Sequence, residues 1–587
     1  MPILKNIQKK IEKIISEIIP EVEKEKITVE MTNNVTHGEI TTNAAMILAK
    51  KLKVSLISLA QKIKEEIAEK DGIKKVEIAG AGFINITFEK ELWQEELKDI
   101  VNLGNKYAAN SIISVDEKQC NRPTMHIEFV SANPTGPMHA GHVRNAVLGD
   151  TIASLLRKVG YNVYTEYYIN DAGKQVEHLA HSVYLRYKEA LGHTLPSNAF
   201  ENDLYPGDYL IPIGKSIAQK DGDKWEKCTK ETWLPVFCEM SINHMMDLIR
   251  DDLAELGVEM DCYTSEKKLA FDGKVQAVLD KLKQQDDVYE GILTPPKGML
   301  VDDWEERRQL LFRSTKYGDD IDRPLMKSDD SWTYFATDIA YHFDKIQRGF
   351  TYLINVLGAD HCGYVKRLTA AVKAISSNFT PVTLDVKLFQ IVNFFENGQP
   401  VKMSKRAGTF ITSHDIVQKV GKDATRFMMV SKHNNTVIDF DFKKVLEQSQ
   451  DNPIFYVQYA HSRIYSVFKH ASEIFPMLDE EAIKGCDDLK TLDKPEEIAV
   501  IRVLAAWPKI VEQAAVLLEP HRITNYLYDL AGEFHKLWNL GKTASTLRFV
   551  DQNDQNATKA KLFLLSGVAT ILRDGLELLG ITPLYRM

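Results

Sequence analysis

The chain has 587 residues, too many for one hydrophobic core, and a prior of roughly 150 residues per domain divides it into three or four. Its 44% hydrophobic and 26% charged residues are ordinary for a soluble globular protein. A net charge of -9 excludes a surface coated in basic charge, but it leaves room for a local basic face that meets nucleic acid.

The amino terminus is a Lys/Glu-rich amphipathic helix in which Leu4, Ile7, Ile11, Ile14, Ile15 and Ile18 make one stripe. It has no apolar core like a secretory signal and is too acidic for a mitochondrial presequence. No run of about 18 apolar residues occurs, so no membrane span is expected and the chain reads as cytoplasmic. Cys120, Cys228, Cys238, Cys262, Cys362 and Cys486 are scattered without a C-x-x-C, so neither a disulfide framework nor a structural metal is expected.

Residues 1–115 read as an α+β unit, with a helical stretch over Thr41–Glu69 and a strand in which Ile84, Ile86 and Phe88 alternate with polar residues. Gly80-Ala81-Gly82 lacks the third glycine of a dinucleotide turn, because Asn85 stands there, and reads as a tight turn. Lysines at 50–53 and 62–70 read as solvated helix faces before they read as a polyanion site.

A second unit is expected over 116–445, beginning with the apolar run Met125–Val130 as a buried strand. Asn133-Pro134-Thr135-Gly136-Pro137 breaks that strand, and a helical pattern resumes after Met138 with Leu148, Ile152, Leu155 and Leu156 on one face and a stop at Gly160. A strand–turn–helix of this kind offers free helix N–H groups and a positive dipole end to phosphate. His139 and His142 lie three apart and project from the same side of that first turn, while Gly141 leaves room for a ligand. A histidine-capped helix is the plain alternative for H-x-G-H alone. A second strand follows at Asn162–Ile169, making a βαβ start to a parallel sheet.

Residues 195–320 are less regular and read as an insertion, within which Gly214-Lys215-Ser216 fails as a P-loop because Tyr209 stands at the first glycine position. Strand character returns at Tyr352–Leu357, ahead of Gly358-Ala359-Asp360-His361, and again at Leu384–Phe394. Glu396-Asn397-Gly398 signals a hairpin, and Lys402-Met403-Ser404-Lys405-Arg406 follows as a loop able to clamp a polyphosphate or simply to be solvated. From 446 to 587 helices take over, with Ile523, Tyr526, Leu527, Leu530, Ala531, Phe534, Leu537 and Trp538 at helical spacing. The aromatic stretch Pro453–Tyr465, with His461 and Arg463, is bundle core whose rim can also stack on unpaired bases.

H-x-G-H after the first strand and K-M-S-K after the last resemble the signature of class I aminoacyl-tRNA synthetases. Glu128–His142, Phe312–Tyr341, Asp451–Arg463, His37–Lys50 and the end Leu584-Tyr585-Arg586-Met587 are similar to arginyl-tRNA synthetases in particular, and the likeness covers nearly the whole chain. It implies a doubly wound parallel-sheet catalytic domain, an amino-terminal α+β domain that grips tRNA, and a carboxyl-terminal helical bundle that reads the anticodon. It implies arginine, ATP with magnesium, and tRNA as substrates, and a monomer is the default. By the resemblance His139, His142, Lys402 and Lys405 are catalytic, with Pro137, Gly141, Gly358, Asp360, Met403 and Ser404 beside ATP. Glu128, Ser131, Asn133, His142, Tyr334, Asp338 and His361 stand at the arginine positions. Glu128 and Asp338 are the acceptors, one for the guanidinium and the other for the α-amino group. Some relatives carry glutamine where His361 stands. A class I synthetase for another amino acid, a small-molecule adenylyltransferase and a non-catalytic RNA-binding relative are the competing readings.

Overall fold

The computed structural model describes residues 3, 6–9, 12–13, 27–32, 38–69, 72–113, 123–201, 203–293, 307–327, 329, 331–377, 381–401 and 411–587. Most of the predicted first helix therefore lies outside the described residues. The chain forms two compact units, one of 1–115, 158–160 and 447–587, the other of 116–157 and 161–446. Among the described residues no helix is long and apolar enough to cross a membrane.

In the first unit, β1 (Val29–Met31), β2 (Ile40–Thr42), β3 (Ile73–Ala79) and β4 (Phe83–Phe88) make an antiparallel sheet in the order β1-β2-β4-β3. Gly80 and Gly82 both take positive φ in the turn between β3 and β4, and the Gly82 N–H closes it on the Ala79 carbonyl at 3.1 Å. The predicted single helix over 41–69 is two, Ala44–Leu52 and Leu56–Ala68. Lys53 turns left-handed and Ser55 caps the second helix, a break that no glycine or proline announces. Lys50, Lys51, Lys53 and Lys62 are exposed, as a solvated face requires. Helix Lys90–Leu103 joins this sheet to the carboxyl-terminal helices: it packs on Pro495–Ala505 and Gln555–Leu578, and Gln94 donates to the Leu492 carbonyl at 2.9 Å.

The second unit is built on a five-stranded parallel sheet of β5 (Thr124–Glu128), β6 (Asn162–Ile169), β7 (Cys262–Ser265), β11 (Tyr352–Gly358) and β12 (Thr383–Phe389). Between β7 and β11 the chain makes a small antiparallel sheet of β8 (Val288–Gly291), β9 (Gln309–Phe312) and β10 (Arg323–Pro324). The parallel strands run β7-β6-β5-β11-β12, so the connections reverse direction between β5 and β11. In an open α/β sheet, the carboxyl ends at such a reversal form a ligand crevice. Residues 195–320, expected to be irregular, contribute the edge strand β7 together with helices Ile211–Asp221 and Lys230–Glu255. The failed P-loop sits inside the first of these, where a Cβ on Gly214 would fall 2.5 Å from the Arg186 backbone.

The predicted strand 384–394 is also two strands. β12 ends at Phe389, and β13 (Val392–Glu396) belongs to another sheet with β14 (Gln399–Pro400) and β15 (Ile438–Asp441). The reason is local: the Arg144 guanidinium takes the Gln390 carbonyl at 2.5 Å and the Ile391 carbonyl at 3.5 Å, acceptors that a continuous ladder would need. Asn397 and Gly398 both have positive φ, giving the predicted tight hairpin between β13 and β14.

Helix Ala140–Lys158 lies on the sheet through Val143, Val147, Leu148, Ile152, Leu155 and Leu156, all buried, each contributing about 1.5–3 kcal/mol. Its Gly149 touches Phe129, whose Cγ would lie 2.2 Å from an added Cβ. Gly149→Ala is therefore expected to force the helix away from Phe129 and to lower stability by about 1–3 kcal/mol, seen as a lower urea midpoint in equilibrium unfolding.

Candidate active site at the sheet switch point

β5 ends at Glu128, and the next turn is held in an uncommon conformation: Val130 has φ 67° and Ser131 φ 40°. Positive φ in a β-branched residue costs on the order of 1–3 kcal/mol and persists only where neighbours fix it. Here Val130 N–H donates to Asn145 Oδ1 at 3.1 Å, and Asn145 Nδ2 reaches the Val356 carbonyl of β11 at 3.2 Å. Ser131 Oγ accepts from the Tyr168 N–H at 3.1 Å and donates to Glu128 Oε1 at 3.2 Å. Tyr167 and Tyr209 hold the Ala132 and Thr135 carbonyls, each at 2.7 Å, while Asn133 between them is exposed. Pro137 is half-buried.

The helix begins just past this turn. Met138 N–H donates to Asp252 Oδ2 at 2.9 Å, and burial pushes that carboxyl up to about 6. The His139 and His142 rings stack with centroids 3.8 Å apart. Gly141 N–H donates to His139 Nδ1 at 3.2 Å and His139 N–H to His142 Nδ1 at 3.3 Å, so in each neutral ring the proton sits on Nε2. A Cβ at Gly141 would crowd the His139 ring at 3.2 Å. Lys402, Met403, Ser404 and Lys405 lie outside the described residues. The chain that follows them is bound to the histidine turn: Ala140 N–H donates to the Ile411 carbonyl at 3.3 Å and Ser413 N–H to the Met138 carbonyl at 2.8 Å.

Glu128 is buried, and its Oε2 accepts from Lys345 Nζ at 2.6 Å and Asn355 Nδ2 at 3.1 Å. Lys345 comes from helix Tyr334–Gln347, capped by Thr333, which also carries Asp338. Asp338 accepts from the Tyr364 hydroxyl, and burial, reinforced by the charge of Glu128, pushes it up to about 7. Tyr334 opens the helix, exposed, its hydroxyl close to Gly173. Glu266, just past the end of β7, is buried, its Oε2 has no partner among the described residues, and burial raises its carboxyl as well. Gly358 closes β11, where a Cβ would meet Asp360 Oδ1 at 2.4 Å. Asp360 and His361 pair with each other at the surface, 3.6 Å apart, rather than with either pocket carboxylate.

Beneath the pocket His126 Nε2 contacts Glu166 Oε2 at 2.9 Å with both side chains fully buried, and Arg348 reaches Glu166 at 2.7 Å. Burial lowers His126 to about 4, so at neutral pH a neutral imidazole N–H donates to the carboxylate and Arg348 supplies the charge. Burial alone would raise Glu166, but the hydrogen bonds from His126 and Arg348 outweigh it and hold the carboxyl well below its usual range.

Three family models match. They are an arginyl-tRNA synthetase N-terminal domain at residues 5–88, a class I tRNA synthetase (R) catalytic domain at 108–201, and a DALR anticodon-binding domain at 457–587. An arginine–tRNA ligase of Rhodospirillum rubrum is 48% identical over 96% of this chain and 95% of its own length. One of Nitrobacter hamburgensis is 49% identical over 95% and 92%. The chain belongs to the arginyl-tRNA synthetase family. A structure of a putative arginyl-tRNA synthetase from Campylobacter jejuni shares 30% identity and a TM-score of 0.71 over 85% of this chain and all of that one. The Thermus thermophilus arginyl-tRNA synthetase, 18% identical with a TM-score of 0.70 over the full length of both, has the same fold.

Sequence reasoning missed Asn145, Glu266, His342, Lys345, Asn355 and Tyr364. Asp338, His342 and Lys345 share one helical face, and Asn355 interrupts an apolar strand, so those signals were present. Tyr364 carried none. Because the folded chain protonates His126 only near pH 4 and the unfolded chain near its ordinary 6.5, stability should fall as pH drops between those values, by up to about 3 kcal/mol. Glu166 adds a further loss below the ordinary carboxylate range, where only the unfolded chain is protonated. Urea unfolding at pH 4.5 and 7.5 should show this dependence shrinking in His126→Gln.

Proposed function

We propose that this chain ligates L-arginine to its cognate tRNA through an arginyl-adenylate. The arginine carboxylate attacks the α-phosphorus of ATP; the bond to the bridging oxygen breaks and pyrophosphate leaves. The terminal ribose hydroxyl of tRNA then attacks the adenylate carbonyl and AMP departs. The observation that carries the reading is a pair of carboxylates, Glu128 and Asp338, at a sheet switch point beside the stacked histidines of a helix amino terminus.

Glu128, Ser131, Asn133, Tyr334, Asp338 and His361 bind arginine, with His142 at the reacting end. Of the two acceptors Glu128 already has Lys345 beside it, so Asp338 with Tyr364, and Glu266 behind, suits the guanidinium, and Glu128 the α-amino group. Pro137, Gly141, Gly358, Asp360, Met403 and Ser404 line the nucleotide. His139 and His142 stabilise charge on the α-phosphate, and Lys402 and Lys405 grip the β- and γ-phosphates. Magnesium enters with the triphosphate as part of the substrate. Residues 1–115 grip tRNA and 446–587 read its anticodon. In the helical bundle a cavity of about 960 Å³ offers Arg463 stacked 4.2 Å over Trp538, beside Tyr459, Arg548 and Arg586. Such a rim suits an unstacked base and its phosphate. The cytoplasm, where translation runs, is its place of work.

Arginine-dependent ATP–pyrophosphate exchange, with and without arginine-accepting tRNA, tests the reading. Exchange with arginine but not lysine or cysteine is expected; none from folded protein in either condition overturns it. His142→Ala should lower exchange by about 10²–10³-fold without loss of fold. Asp338→Asn should raise the KM for arginine by about 10–100-fold and leave that for ATP unchanged.

A further inference from the structure

We infer that Lys345 is a positioning residue of the arginine pocket, whose buried ammonium holds Glu128 in place and leaves the Oε1 side of the carboxylate for the substrate. The inference rests on the reading of Glu128 as a substrate acceptor. Lys345 has no exposed surface, and a lysine is almost never fully buried unless it is paired. Its Nζ lies 2.6 Å from Glu128 Oε2 and 4.0 Å from the centre of the Tyr341 ring. No other ion pair of Lys345 exists among the described residues; Glu166, the next carboxylate, is taken by Arg348 and His126.

Neighbouring groups complete the arrangement. His342 Nδ1 faces the Asp338 carbonyl at 2.8 Å, so it must donate, and Nε2 becomes an acceptor for Asn355 Nδ2 at 3.2 Å. The second Asn355 N–H goes to Glu128 Oε2. Among the described residues that oxygen therefore has two donors, whereas Oε1 has Ser131 Oγ alone, at 3.2 Å, and retains acceptor capacity. Asp338, His342 and Lys345 occupy one face of one helix, so the spacing of the two pocket carboxylates is built into the protein before arginine arrives. A merely structural tie would serve stability alone. A positioning role also sets which oxygen meets the substrate.

The test compares Lys345→Met, Lys345→Gln, Glu128→Gln and the double variant Glu128→Gln/Lys345→Met. It measures KM for arginine and ATP in pyrophosphate exchange, and urea unfolding. Both lysine variants should raise the arginine KM by at least about tenfold while ATP KM stays within about twofold. The double variant should regain the urea midpoint lost by Lys345→Met, because no charge is stranded, yet keep the high arginine KM. Lys345→Gln leaves an amide donor in the slot and supplies the result if Lys345→Met does not fold. Folded Lys345→Gln with wild-type arginine KM, beside a Glu128→Gln with raised KM, overturns the inference alone. Unchanged arginine KM in Glu128→Gln removes Glu128 from substrate binding, and the inference falls with it.

Discussion

A carboxylate at the carboxyl end of a central strand is taken out of water by the very sheet that presents it. Glu128 is such a group, and the fold meets its charge from two directions: Lys345 from a covering helix and Asn355 from the neighbouring strand. The register makes this possible, because Glu128 of β5 stands directly opposite Asn355 of β11. Those strands flank the reversal of the sheet, so the matching of one buried charge and the opening of the crevice are the same geometric event. The strained turn at Val130 and Ser131 follows from it, since the chain must leave β5 sharply to bring Ser131 back onto Glu128.

The site divides its charges by depth. Nearest the sheet, His126 and Arg348 both bind Glu166, which Thr264 also reaches, and this cluster serves stability. Above them Glu128 is paired but keeps one oxygen with spare capacity, and Asp338 sits near neutrality with a tyrosine as its partner. On the proposed reading, the substrate's cationic groups meet acceptors whose desolvation folding has already offset, as in a preorganised site. The histidine turn is ordered in the same sense, each Nδ1 taken by a backbone N–H.

Much of this was legible in the chain. β6 runs over Asn162–Ile169 as its β-branched and aromatic run implies, and the hairpin at Asn397-Gly398 has the positive φ values its residues favour. Glu128 ends β5 and Ser131 follows in the turn, as a motif at a strand end implies, whereas Asp338 sits on helix Tyr334–Gln347 against the Tyr364 hydroxyl. What escaped was set by contacts distant in sequence. Phe389 and Val392 read as one strand until Arg144, far upstream, claims the carbonyls between them. Lys345 shares a helical face with Asp338 and His342, yet nothing in its own neighbourhood names its partner Glu128, 217 residues away. The break after Leu52 depends on a lysine adopting a left-handed conformation, which local composition does not favour.

Arg144 is buried with no carboxylate partner among the described residues and gives its donors to the carbonyls of Gln390, Ile391, His433 and Thr436, with burial lowering its pKa to about 10. Together with the bonds from Ala140 N–H to the Ile411 carbonyl and from Ser413 N–H to the Met138 carbonyl, this fastens one helix and its leading turn to three stretches of chain remote in sequence. For the evolution of length the result is uneven tolerance. The exposed turn at Asn397-Gly398 is free to grow, because loop closure entropy rises only slowly with added residues. At the fastened positions, one inserted residue would shift every carbonyl out of reach of a guanidinium that cannot follow.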